Sequence, residues 1–212
     1  MGGSGGQTRH VRHPILHLDI VGEGGVRQGE ARVFCKLQRR AVAVDTCRSC
    51  RHCDAITDGP DASVDCTVPD APDDAEREPE DVGAILSHGA VVLEPETTVA
   101  TTLAWMHEED RRSLAVVGAR GVVVGVIHEA AFIRRDASSP EPARDQPVLH
   151  VMSSPLAIHE RTPVRDALRL LAAAHLREAA VVDEDGVPLG VFRDVDGLRH
   201  LAMRARRRSG DC

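Results

Sequence analysis

LEPETTVATTLAWMHEEDRRSLAVVGARGVVVGVI, residues 93–127, aligns without a gap on IHERTPVRDALRLLAAAHLREAAVVDEDGVPLGVF, residues 158–192, at an offset of 65. Thr97 meets Thr162, Val99 meets Val164, Leu103 meets Leu168, Val116 and Val117 meet Val181 and Val182, and Gly121 and Gly125 meet Gly186 and Gly190. The matches fall on helix starts, strand cores and turns, so one supersecondary unit occurs twice. In the second copy Thr162 is a candidate helix cap and Pro163 suits the first helical position. Val164, Ala167, Leu168 and Leu171 are spaced for one apolar face. AAVVDEDGVPLGVF, residues 179–192, reads as strand, turn and strand, with Gly186 supplying the left-handed position of the turn. RDVDGLRHLAM, residues 193–203, starts another helix with Asp194 as its cap. The unit is strand, helix, strand, strand, helix, repeated across the polar linker RRDASSPEPARDQP, residues 134–147, which predicts an α+β fold.

On VMSSPLAI, TPVRDAL and AAVVDEDGVPLGVFRDVDGL in the second copy, and LAVVGARGVVVGVI in the first, the unit resembles a CBS domain and the tandem resembles a Bateman module. The resemblance covers about Ile85 to Met203, with expected domains at 84–134 and 148–204 and a basic tail at 205–212. It implies β-α-β-β-α repeats packed through their sheets about a pseudo-twofold axis. Two clefts then remain, which in that family often take AMP, ADP, ATP or S-adenosylmethionine. It also implies a homodimer formed through the CBS pairs, regulating another domain or an unidentified protein partner.

The family's nucleotide fingerprint is Gly, two mostly apolar residues, Thr or Ser, two variable residues, then Asp. The hydroxyl and the helix's first amides face a phosphate, while the Asp accepts from the ribose hydroxyls. The matching stretch of the second copy runs from Gly190 to Asp196, with Arg193 at the hydroxyl position. The resemblance implies a ligand site on Asp196 and Arg193, with backbone and apolar contacts near Leu156 and Ala157. Arg193 either pairs with phosphate as a charge-assisted donor or obstructs the cleft. In the first copy the Asp position is Ala131 and the hydroxyl position is His128, so that cleft lacks the ribose contact. The plainer alternative makes Asp196 an acid favourable in a helix's first turn.

Ahead of the repeat, residues 11–68 hold Cys35, Cys47, Cys50, Cys53 and Cys66, while residues 1–10 are Gly-rich and expected to be disordered. The segment has few large apolar residues, and chains this small usually need a metal, disulfides or association to fold. Cys47 and Cys50 resemble a zinc knuckle that Cys35 and Cys66 would close into a zinc-ribbon-like site of four thiolates, with Cys53 spare. Arg39, Arg40, Arg48 and Arg51 would moderate its negative charge. The alternative is an iron-sulfur cluster, since CRSCRHC, residues 47–53, has ferredoxin-type spacing and makes Cys53 a ligand. Disulfides or free thiols remain open; Cys212 has no evident partner, and His52 reads as solvent-facing. PDAPDDAEREPED, residues 69–81, holds seven acidic residues and no apolar residue larger than alanine, so 69–83 is expected to be a linker.

Composition narrows the function. Aromatics are 2% with no tyrosine, and the net charge is −7, so nucleic-acid binding is not expected despite the basic run RHLAMRARRR, residues 199–208. Lys36 is the one lysine, as in GC-rich bacterial genomes. No apolar run reaches the length of a membrane span, and the start lacks the apolar core of a secretory signal, which points to the cytoplasm. No nucleophile–base constellation or phosphate loop can be assembled from the sequence, so an enzyme is not expected. The leading expectation is a regulatory CBS pair sensing an adenosyl ligand, with a cysteine metal site. The alternatives are a ligand-free scaffold or an iron-sulfur redox sensor.

Overall fold

The structure, a computed structural model, describes residues 8–69, 81–86, 89–129, 132 and 143–209. The N-terminal part supplies β1 (Thr8–Pro14), β2 (Leu18–Gly22), β3 (Gly25–Gln28), β4 (Arg32–Cys35), β5 (Arg40–Ala43), the short helix α1 (Val44–Arg48), β6 (Cys53–Thr57) and β7 (Ser63–Pro69). β1, β7 and β6 form an antiparallel sheet and β4–β5 a hairpin. Between them lies a small core of Ile15, Val33, Val42, Cys47 and Val64. Too small to stand alone, this unit leans on the rest of the chain: Leu16 is buried in the second repeat's core, with Ala41 packed against it.

The two repeats share most of their elements at the offset read from the sequence. The first has β8 (Ala90–Leu93), α2 (Val99–Glu108), β9 (Ser113–Val117) and β10 (Val123–His128). The second has β11 (Ala157–His159), α3 (Val164–Ala173), β12 (Glu178–Val182), β13 (Pro188–Arg193) and α4 (Asp194–Ser209). α2, β9 and β10 match α3, β12 and β13 residue for residue at 65. In each repeat the first strand runs parallel to the second and the second antiparallel to the third. The punctuation repeats too. Asp110 and His175 both take positive φ after their helices, at 48° and 56°, and Gly121 and Gly186 do so in the hairpin turns, at 74° and 80°. Only glycine adopts that turn conformation without steric cost. On α3, Val164, Ala167 and Leu171 are buried with Leu168 packed beside them, as the spacing predicted. The cap lies one residue later than expected. Pro163 occupies it without a side-chain bond, whereas its counterpart Thr98 accepts from the Thr101 amide at 3.2 Å.

Period-two alternation gives the first sheet its two faces. Val21, Leu93, Leu114, Val116 and Ile127 share a core with Met106 of α2, while Ile20, Val92, Ala115 and Val117 meet Ala180 and Val187 of the second repeat. Ser113 and Glu178, equivalent positions, hydrogen-bond each other at 2.6 Å across this junction. The pseudo-twofold extends to the lead-in segments, which are exchanged. Val82–Ile85, a 3-10 turn, donates from Val82 to the Thr162 carbonyl and buries Val82 and Leu86 in the second core. Val148–His150 donates from Val148 to the Thr97 carbonyl and buries Val148 in the first. The bridges Asp81 with Pro163 and Thr98 with Pro147 repeat the pattern.

Two boundaries move as a result. Residues 81–83, expected in the linker, are anchored in the second repeat. β2, expected in the cysteine segment, pairs in parallel with β8, extending the first sheet to the order β10-β9-β8-β2-β3. Thr8–His10, expected to be disordered with the Gly-rich start, instead belong to β1, paired with β7, while residues 1–7, most of the acidic linker, Ala131 and Cys212 lie outside the described residues.

Candidate functional site

β13 ends at Arg193 and α4 begins at Asp194, so the chain turns from strand to helix where the family fingerprint falls. Asp196 sits in the helix's first turn, and Arg193 already holds it. Arg193 Nε donates to Asp196 Oδ2 at 2.8 Å and Nη2 to Oδ1 at 3.5 Å, with Arg199 Nη1 3.6 Å from Oδ1. The bond to Asp196 pushes the Arg193 pKa above its ordinary range, and the charges of Asp196, Glu178 and Asp110 add to that. Asp110 comes from the first repeat, so both repeats contribute charge here. Register puts Leu156 and Ala157 at the same end of the sheet: Ala157 opens β11 opposite Ala180, and Glu178 is opposite Arg193. Leu156 packs against the second core and Ala157 is exposed. Sequence reasoning missed Glu178 and Asp110; strand pairing at the known offset would have found the first. A cavity of about 500 Å3 lies elsewhere, between the N-terminal unit and the first repeat. It is an open, mixed-charge cleft that includes Arg12, Asp61, Glu109 and Arg111, and it carries no ligand assignment.

All five cysteines, with His13 and His52, line one cavity of about 30 Å3. Cys47 is buried in α1, Cys50 and Cys53 follow in successive turns, Cys35 closes β4, and Cys66 on β7 lies directly opposite Cys53. The spacing argument made Cys53 spare; the ladder puts it opposite Cys66, on the same cavity as the other four. The thiols share the cavity without converging: among the described residues no three His, Cys, Asp or Glu side chains stand close enough to hold a metal ion. Burial, reinforced by the neighbouring cysteines, pushes the Cys47 and Cys66 pKa values up to about 11, and burial also raises that of Cys53. These thiols are therefore neutral near pH 7 without a cation beside them. His52 Nε2 accepts from Arg51 Nε at 3.2 Å, which leaves Nδ1 to donate to the Thr67 carbonyl at 3.1 Å. Both its nitrogens are engaged. His13 is buried, and burial followed by the charge of Lys36 lowers its pKa to about 4.

A third cluster was not foreseen. Asp81, Glu160 and Asp183 are buried at the edge of the second repeat, and the β4–β5 hairpin answers each of them. Arg39 Nε and Nη2 donate to the two oxygens of Asp81 at 3.0 Å each, the Ala41 amide donates to Glu160 Oε2 at 2.6 Å, and Arg32 pairs with Asp183. Arg39 holds positive φ, 50°, while its carbonyl accepts from Arg161 Nε at 2.8 Å. Glu160 Oε1 is buried with no partner among the described residues. Burial pushes the Glu160 pKa up to about 7; the Ala41 amide and Arg161 oppose this, while Asp183 and Glu184 add to it.

Residues 148–203 match the family profile of the CBS domain. The match spans the second repeat and leaves the rest of the chain outside it. Solved structures share the fold. The CBS domain pair of protein MJ0100, in complex with 5′-methylthioadenosine and S-adenosyl-L-methionine, is 17% identical with a TM-score of 0.52, covering 59% of this chain and 98% of that one. The CBS domain protein PAE2072 from Pyrobaculum aerophilum, complexed with AMP, is 20% identical with a TM-score of 0.52, covering 58% and 99%. No curated protein matches the chain. No helix among the described residues is long and apolar enough to cross a membrane.

Proposed function

We propose that the chain is a regulatory CBS-pair protein whose second repeat binds an adenosyl ligand. The observation that carries this is the Arg193–Asp196 pair at the strand-to-helix turn, a cation and an acid matched to phosphate and ribose. Fold relatives solved with AMP, with 5′-methylthioadenosine and with S-adenosyl-L-methionine support the ligand class. Binding requires Asp196 to exchange Arg193 for ribose hydroxyls, leaving the guanidinium for phosphate. The role is regulatory and assigns no catalytic residue. Titrating AMP, ATP and S-adenosylmethionine against the wild type and Asp196→Ala tests it. Saturable binding that the substitution weakens supports the reading, and binding by none of the three sinks it. One observation favours a second reading, a ligand-free scaffold: the Arg193–Asp196 pair satisfies both side chains without a ligand.

The cysteine cavity belongs to the proposal as a metal site, with zinc held by four thiolates drawn from Cys35, Cys47, Cys50, Cys53 and Cys66. The donor set, five cysteines lining one cavity, fits a thiophilic ion, and the thiols would have to move together to bind it. At about 30 Å3 the cavity suits one ion or water, and an iron-sulfur cluster would have to expand it. Elemental analysis with an absorbance spectrum separates the two: zinc in a colourless protein, or iron in a brown one. Self-association as a homodimer is part of the same reading, supported by the exposed Val195, Leu198 and Met203 along α4, and sedimentation equilibrium tests it.

A further inference from the structure

Cys35 and Cys47 are the two ends of one short piece of chain, and the residues between them grip the second repeat. Cys35 closes β4 opposite Arg40, and Cys47 lies in α1 directly after β5. Between them, Arg39 holds Asp81 and the Ala41 amide holds Glu160. Just ahead of Cys35, Arg32 pairs with Asp183, and the Phe34 ring lies so close to Gly83 that an added Cβ would fall 2.5 Å from it. Two of the gripped acids connect to the candidate ligand cleft. Glu160 follows β11, which opens at Ala157, and Asp183 starts the turn into β13, which ends at Arg193.

From this arrangement we infer that a thiophilic divalent cation such as Zn2+, held by the cysteines, regulates the second repeat. Binding fixes Cys35 and Cys47 against each other, which sets the hairpin's hold on Asp81, Glu160 and Asp183. Through β11 and β13 it then sets the shape of the Arg193–Asp196 cleft. The inference rests on the metal reading of the cysteines. Its two-state element is the hairpin, firmly docked when the ion joins its ends and looser when they are independent. Each thiol that coordinates gives its proton to solvent, so no oxidant or reductant is needed.

The test uses the full chain under reductant, stripped by a chelator and reloaded with Zn2+ or with Co2+, whose thiolate charge-transfer absorption reports loading. Amide hydrogen exchange at Ala41, Val82 and Gly83, whose bonds cross the seam to Glu160 and Thr162, reports docking. Loading is expected to slow these amides about tenfold, within the usual range of coupling between sites. The amides of α2 in the first repeat stay unchanged and serve as the folding control. Cys50→Ser with Cys53→Ser removes two donors outside the hairpin, and this variant is expected neither to load nor to slow the seam. Loading with unchanged seam exchange overturns the coupling and leaves the metal site standing. A double variant whose seam still slows overturns the coupling as well, and failure of the wild type to load overturns both.

Discussion

Replacing Glu160→Gln removes a carboxyl that burial holds far above its ordinary range, and the effect is readable as a pH profile. The Glu160 pKa moves from an ordinary 4.5 to about 7 in the folded chain. Between those values the folded state binds the proton that the unfolded state has lost. Stability from this group is therefore fully present below 4.5 and is lost as pH rises through about 7. At about 1.4 kcal/mol per pH unit, the loss is roughly 3 kcal/mol. Asp183 and Glu184 face the group with like charge, and Arg161 and the Ala41 amide face it from the opposite sign. The wild-type curve alone hides the effect, because buried His13 is lowered to about 4 and contributes in the opposite direction over much of the same window. The difference between wild type and Glu160→Gln isolates it. Urea unfolding from about pH 4 to about pH 8, extrapolated linearly to water, gives that difference. It is expected to shrink by about 3 kcal/mol in the wild type's disfavour as pH rises, whatever constant offset the new amide introduces. A difference flat to within about 0.5 kcal/mol across that range would refute the placement in the seam of an ionisable carboxyl with one oxygen unpartnered among the described residues.

Three further outcomes follow from the same contacts. Arg39→Ala takes a two-point cation contact away from the buried Asp81 but removes a half-exposed guanidinium, so urea unfolding should show a loss of about 1–2 kcal/mol, whereas Arg12→Ala, on an exposed pair, should leave the midpoint in place. Gly83→Ala drives a methyl into the Phe34 ring and to 3.1 Å from the Glu160 carbonyl, and is expected to cost about 1–3 kcal/mol by the same assay. Arg193→Ala takes the short contact off Asp196, leaving Arg199 3.6 Å away, and removes the phosphate donor, so calorimetry should find AMP about tenfold weaker and 5′-methylthioadenosine unchanged or tighter; equal weakening of both would contradict the assigned roles.

The repeats were legible because their information is local: helix periodicity, strand alternation and turn glycines such as Gly121 and Gly186 recur at one offset and constrain each other. The pairing of Arg193 with Asp196 was also within reach, since residues three apart at a helix start share a face. The exchange of the lead-in segments was not. Val82, Leu86 and Val148 carry no periodicity that says which core they enter, and only the pseudo-twofold assembly decides it. Leu18–Gly22 alternates like any half-buried strand, so its pairing with β8 instead of the cysteine unit depends on which sheet edge is open. Asp81 looked like one more acid of a solvated linker, and its burial became visible only with Arg39 folded back onto it. Cysteine spacing set Cys53 apart from the other four, because spacing along the chain cannot show that Cys53 and Cys66 are opposed across a ladder.

The central claim is that one cleft, in the second repeat, binds an adenosyl ligand. Calorimetric titration of the wild-type chain with AMP and with S-adenosylmethionine tests it most directly through the stoichiometry. The first repeat has Ala131 where the second has Asp196, so the account predicts one ligand per chain, with binding weakened by Asp196→Ala. Two ligands per chain, none, or one that is indifferent to Asp196→Ala would contradict it.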